Sequence, residues 1–167
     1  IFPSPEIYWL IVNFSSLILQ ALSLAGFRQR AALKPIPYWV VLYVIVVELL
    51  IFYFTLIDHH MGIRIAIMPY SAVLMSAACI YTVNQVNRSL RPAEWGVVTI
   101  YFIFAILQFI AATIALLQGA ESDQYYYSIY QQINFLAMPA AYSGLGLFAV
   151  LMLADDLAAK MRSLSYT

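Results

Sequence analysis

Charge is what this chain has least of. Charged residues fill 10% of its 167 positions and hydrophobic ones 64%, where a soluble domain carries roughly 25% charged residues. So little charge cannot dress a water-facing surface, and one apolar domain uses the whole length. The formal net charge is zero, so there is no general attraction to nucleic acid, which is not expected as a partner. Cys79 is the single cysteine, which excludes an intrachain disulfide or a thiolate metal cage. None of the apolar runs contains a lysine or a histidine. That argues against a retinal-type Schiff base and against haem held by paired intramembrane histidines. Walker, Rossmann and serine-hydrolase motifs are missing. No cofactor and no metal is expected.

What remains is apolar length. Five runs, at 7–26, 38–57, 63–86, 95–117 and 131–153, each suffice to cross a bilayer of about 30 Å as a helix. The expected fold is an all-α integral membrane protein, a bundle of five transmembrane helices with a short tail at 154–167. The first run is longer than a signal-peptide core and has no basic region before it, so it reads as a true span. Pro35 and Pro37 disfavour helix just before the second span. Asp58–Gly62 reads as a tight polar turn, and Arg88, Arg91 and Pro92 separate spans three and four.

The basic residues sort by side. Arg28, Arg30 and Lys34 follow span one, Arg88 and Arg91 follow span three, and Lys160 and Arg162 lie in the tail. Five alternating helices put all of these on one face and leave only Arg64 on the other, so the N-terminus is expected outside and the C-terminus inside. Tyr8, Trp9, Tyr38, Trp39 and Trp95 stand at span ends, and Tyr125, Tyr126, Tyr127 and Tyr130 crowd the outer end of span five. Such rings suit the headgroup level, and the tyrosine run reads as anchoring before it reads as a ligand platform.

Small residues recur on single helical stripes: Ala72, Ser76 and Cys79 in span three, Ala105, Gln108, Ala112 and Ala115 in span four, Ala137, Ala141 and Gly144 in span five. Close approach of spans three, four and five is expected, or self-association through these faces. Pro139 is expected to bend span five.

Glu48 is the costliest residue, an acid at the middle of span two that costs on the order of 3 kcal/mol if charged there. It is expected to face the bundle interior in its neutral form. Depth counted along each span brings Gln108, Ser76, Tyr142 and Ser143 to the same level. This is a candidate intramembrane polar site: a proton or cation site, a ligand anchor, or a general acid. The bland alternative is a neutral Glu48 hydrogen-bonded to Gln108 or to a neighbouring subunit. A second candidate lies on the outer face, where Asp58, His59, His60 and Glu121 share one side; the spacing characteristic of zinc is absent there. The tail has helical composition, with Asp156 and Lys160 spaced as an i,i+4 pair. A solvated helix end is the expected reading, and a docking role the alternative.

The segment Lys34-Pro35-Ile36-Pro37-Tyr38-Trp39 resembles a Lys-Pro segment of the five-helix translocator and tryptophan-rich sensory proteins. The chain has only three tryptophans, and it lacks the intramembrane paired acids and histidine of sterol-isomerase-like proteins. Neither family is recognised in it. The expected function is that of a non-catalytic accessory or assembly subunit of a larger membrane complex, with lipids and other membrane subunits as partners. A small transporter or channel component coupled through Glu48, and a membrane enzyme or receptor for a lipophilic ligand, are the alternatives.

Overall fold

The computed structural model describes residues 4–85, 90–121 and 123–165. These form five helices, α1 (Pro5–Arg30), α2 (Tyr38–Leu56), α3 (Met61–Asn84), α4 (Pro92–Leu117) and α5 (Gln124–Ser165). All five are long and apolar enough to cross a membrane. Val86, the expected end of span three, and Arg88 lie outside the described residues.

Helix ends are set by capping rather than by where apolarity begins. Ser4 Oγ accepts from the Ile7 N–H at 3.2 Å, with Pro5 at the first helical position, so α1 starts ahead of its apolar run. Its far end closes with the Leu33 N–H donating to the Arg28 carbonyl at 2.8 Å. Ala32 takes the left-handed turn there, at φ 56°. The Glu94 carboxylate accepts from the Arg91 N–H at 2.7 Å, with Pro92 opening α4. Asp123 Oδ1 accepts from the Tyr125 N–H at 2.9 Å and starts α5 well before the expected residue 131. α5 then runs unbroken through the tail, so residues 154–165 continue the fifth helix.

α3 is the hub. Its backbone lies close to those of α1, α2 and α4, whereas among the described residues the backbone of α5 comes close only to that of α4. Small residues permit the closest of these contacts: Ala111, Ala112 and Ala115 of α4 are almost completely buried, as are Ala66, Ala72 and Cys79 of α3. At the end carrying the α3 N-terminus, the Met61 and Gly62 N–H groups donate to the Ala120 and Gly119 carbonyls at 3.2 and 2.9 Å. The expected mutual approach of spans three, four and five needs one correction. The backbones of α3–α4 and α4–α5 come close, but among the described residues those of α3 and α5 do not, and these two helices share only side-chain clusters. Phe104 of α4 belongs to the buried cluster that holds Ala72 of α3 with Ala137 and Ala141 of α5.

Candidate functional site

Among the described residues the backbone of α1 stays apart from those of α4 and α5, and only side chains cross between them. Between α1 and α5 lies a crevice whose floor is α3 and α4. Its deeper part, about 260 Å³, is lined by Gln20 and Ser23 of α1, Ser76 of α3, Tyr101 of α4 and Tyr142 and Gly146 of α5, among apolar neighbours. A second part, about 330 Å³, shares Ser23, Phe27 and Ala149 with the first and continues to Arg30 and Asp156. Together they fall within the few hundred Å³ usual for a small-molecule site. Gly26 and Gly146 line this space, and a Cβ on either would meet nothing within 4 Å.

The few polar groups are specific. Ser23 Oγ and the Tyr101 hydroxyl are 2.7 Å apart, and the Phe27 ring stands edge-on to Tyr101 at 5.9 Å. Long side chains thus bridge α1 to α4 where the backbones stay apart. Gln20 Oε1 is buried with no hydrogen-bond partner. Among the described residues no charged side chain lines the deeper part. By contrast, a hollow of about 360 Å³ between α4 and α5 has only apolar lining residues.

An ionic cluster closes the crevice at its other end. Arg30 donates from Nη1 to Glu94 Oε1, and from Nε and Nη2 to the two oxygens of Asp156 at 2.8 and 3.0 Å. Arg91 adds a bond to Asp156 Oδ1 at 3.0 Å. Glu94 is fully buried, a position tolerable for a carboxylate only when paired and hydrogen-bonded. The guanidinium grips Asp156 with two N–H groups and Glu94 with a third, a planar bidentate geometry that an ammonium does not reproduce. This cluster ties α1, α4 and α5 together.

No protein family matches the chain, and no curated protein or solved structure does. The site therefore rests on its geometry.

The structure divides the expected intramembrane cluster. Ser76 and Tyr142 do line one crevice, and the adjacent Ser143 is exposed. Gln108 is fully buried elsewhere on α4, and its Nε2 donates to Asn134 Oδ1 at 3.1 Å. Asn134 in turn donates to the Tyr130 carbonyl at 3.0 Å. Glu48 stands on α2, whose backbone among the described residues comes close to neither α4 nor α5. Gln108 thus takes Asn134, not Glu48, as its partner. Equal depth was the only basis for grouping them, and depth says nothing about which way a helix is turned.

Glu48 sits at the seam between the buried stripe Val44, Val47 and Ile51 and the exposed Ile45, Leu49 and Phe52. Its Oε2 is buried without a partner.

On the opposite end, Asp58, His59 and Glu121 are exposed. His60 caps α3, its Nδ1 accepting from the Ile63 N–H at 3.3 Å. Among the described residues no three His, Cys, Asp or Glu side chains are grouped to hold a metal ion. Arg64, the one basic residue expected at that end, lies 5.0 Å from the centre of the Trp9 ring, a cation–π contact. Tyr127 and Tyr130 are stacked at 6.3 Å and pack on the Ile65, Ala66, Ala112 and Ala115 cluster.

Sequence reasoning passed over Gln20, Ser23, Glu94 and Asn134. Gln20 and Ser23 carried a usable signal, a polar pair at helical spacing inside the first apolar run. Glu94 did not, since it stands at the edge of a span among residues expected to be solvated.

Proposed function

We propose that this chain is a multi-pass integral membrane protein, N-terminus outside and C-terminus inside, that holds one neutral lipid in the crevice between α1 and α5. The membrane assignment is supported by five spanning-length apolar helices. The orientation is supported by Arg28, Arg30, Lys34, Arg91, Lys160 and Arg162 lying towards one end, with Arg64 alone at the other. The lipid reading is carried by one observation: two helices that stand apart over an apolar cleft with hydrogen-bonding groups at its floor. A cleft opening sideways in a bilayer is filled from the lipid phase. The absence of charge from its deeper part matches an uncharged occupant, because an unpaired charge there would be uncompensated.

The reading predicts the effect of filling the cleft. Gly146→Trp places an indole where nothing stands within 4 Å of a Cβ. The variant should fold normally and should lose most labelling of α1 and α5 peptides by a diazirine-bearing long-chain alcohol in reconstituted vesicles. Undiminished labelling of those peptides in a folded variant would sink the proposal.

Glu48 supports a second reading, the accessory subunit, since an unpaired carboxyl oxygen at mid-helix is suited to a donor from another chain. On that reading Glu48→Leu removes an unsatisfied group and stabilises the isolated chain in detergent by about 1–3 kcal/mol. It also loses co-purifying membrane polypeptides. Loss of stability in the isolated chain would count against it. A coupling role for Glu48 in transport predicts instead a pH-dependent flux abolished by Glu48→Gln.

A further inference from the structure

α5 has a second face, away from the crevice. Leu147, Val150, Ala154, Leu157, Met161 and Leu164 are exposed along it and recur at alternating steps of three and four. That is the spacing of a coiled-coil seam, in which a helix offers its stripe to another like it. The rest of the chain lies on the other side. Met152 is buried and Asp156 binds Arg30 and Arg91, whereas at about 100° per residue Val150, Ala154 and Met161 stand about 160–180° from Met152. None of the six residues lines the crevice or the α4–α5 hollow.

We infer that this stripe is the interface between two copies of the chain, paired in parallel through their α5 helices. Lipid alone does not cover it. α5 has 42 residues, about 63 Å at 1.5 Å per residue, against about 30 Å of hydrocarbon. Asp155, Asp156, Lys160 and Arg162 mark the part that leaves the hydrocarbon. Leu157, Met161 and Leu164 lie in that same part and are 60%, 64% and 67% exposed. The helix continues through it unbroken, beyond the reach of acyl chains. Two copies inserted alike in one bilayer run parallel, so a two-fold pair sets each stripe residue against its own counterpart. No stripe residue is charged, so self-pairing buries no charge at the seam. The surface suffices as well. The chain exposes 10234 Å², where a compact monomer of 18.9 kDa exposes about 8,300 Å². That surplus exceeds the roughly 800 Å² that one partner gives to a stable interface. A second copy also matches the stripe in length and register without any further requirement.

The pairing is independent of what the crevice holds. Its test is disulfide cross-linking of single-cysteine substitutions of the full chain in vesicles, with the unsubstituted chain as control because Cys79 is buried. Ala154→Cys, Leu157→Cys and Met161→Cys should each give a species of twice the chain mass. Asp155→Cys and Ala159→Cys, which lie on the side of Arg91, should give about tenfold less, since only seam positions face their counterparts. All five positions are exposed, so the substitutions leave the fold of the chain alone. Adding Leu157→Glu to Ala154→Cys should lower its cross-linking about tenfold, because two acids then meet in the seam. Equal cross-linking at seam and control positions would overturn the inference, as would none at any of them. Seam cysteines that do not cross-link yet resist a water-soluble maleimide would overturn it too, and would point to the membrane surface or a different protein as the cover.

Discussion

Replacing Arg30 by Met is expected to destabilise the protein by about 3 kcal/mol, the order found when one member of a buried ion pair is removed. The reason lies in Glu94, whose side chain has no exposure to solvent while Arg30 keeps about a fifth of its own. Without the guanidinium, Glu94 loses the charge-assisted bond at Oε1 while the Arg91 N–H still reaches Oε2. Asp156 fares differently. It is 41% exposed and keeps Arg91 at 3.0 Å, so Asp156→Asn should cost at most about 1 kcal/mol, as exposed pairs do. Thermal unfolding of the detergent-solubilised variants separates the two. Adding Glu94→Gln to Arg30→Met should recover part of the loss, because the buried charge that Arg30 paired disappears with it. A lysine at position 30 should recover less than arginine provides, since an ammonium lacks the planar fork that binds Asp156 through two N–H groups while a third reaches Glu94. Equal losses for Arg30→Met and Asp156→Asn would refute the assignment of Glu94 as the critical partner.

Gly62→Val should be as damaging, by about 3 kcal/mol, at the upper end of overpacking losses. A Cβ at Gly62 would stand 2.7 Å from the Ala115 carbonyl oxygen and 2.8 Å from that of Gly119. Both obstacles are backbone, and the Gly119 carbonyl is the acceptor for the Gly62 N–H itself. Nothing at this point can swing aside, so α3 and the end of α4 must separate. The contact at Gly144 differs, because the atom met there at 2.6 Å is the Cδ1 tip of Ile100, which can change rotamer. The measurement is the apparent melting temperature of Gly62→Val beside Gly144→Ala. A larger loss at Gly144 would contradict this ordering of the two contacts.

Much of the architecture is legible without coordinates. Apolar length marks all five helices, each long and apolar enough to cross a membrane, where a helix satisfies its own backbone hydrogen bonds. The breaks at Pro35, Pro37 and Pro92 follow from the missing proline N–H and the restriction on the preceding residue. The boundaries of α1 and α5 were less legible. Hydropathy finds the greasy part of a helix, whereas Ser4 and Asp123 cap its actual start through polar atoms that hydropathy discards. The tail is the same case: Asp156 reads as half of a local pair with Lys160, yet it also receives Arg30 and Arg91 from two other helices.

The sequence by itself determined an all-helical chain with five elements of spanning length, small-residue faces on the last three, and basic residues sorted towards one end. These follow from composition along a line, where hydrophobic length, proline placement and charge act on each segment separately. Only the tertiary structure decided that Gln108 meets Asn134 and not Glu48, and that Arg30 joins Glu94 to Asp156. It also decided that α1 and α5 stand apart over a crevice instead of packing together. Those outcomes depend on how each helix is rotated about its axis and which neighbour it takes. Contacts such as Gly62 on Ala115 and Phe104 beside Ala137 set both, between residues that no local pattern connects.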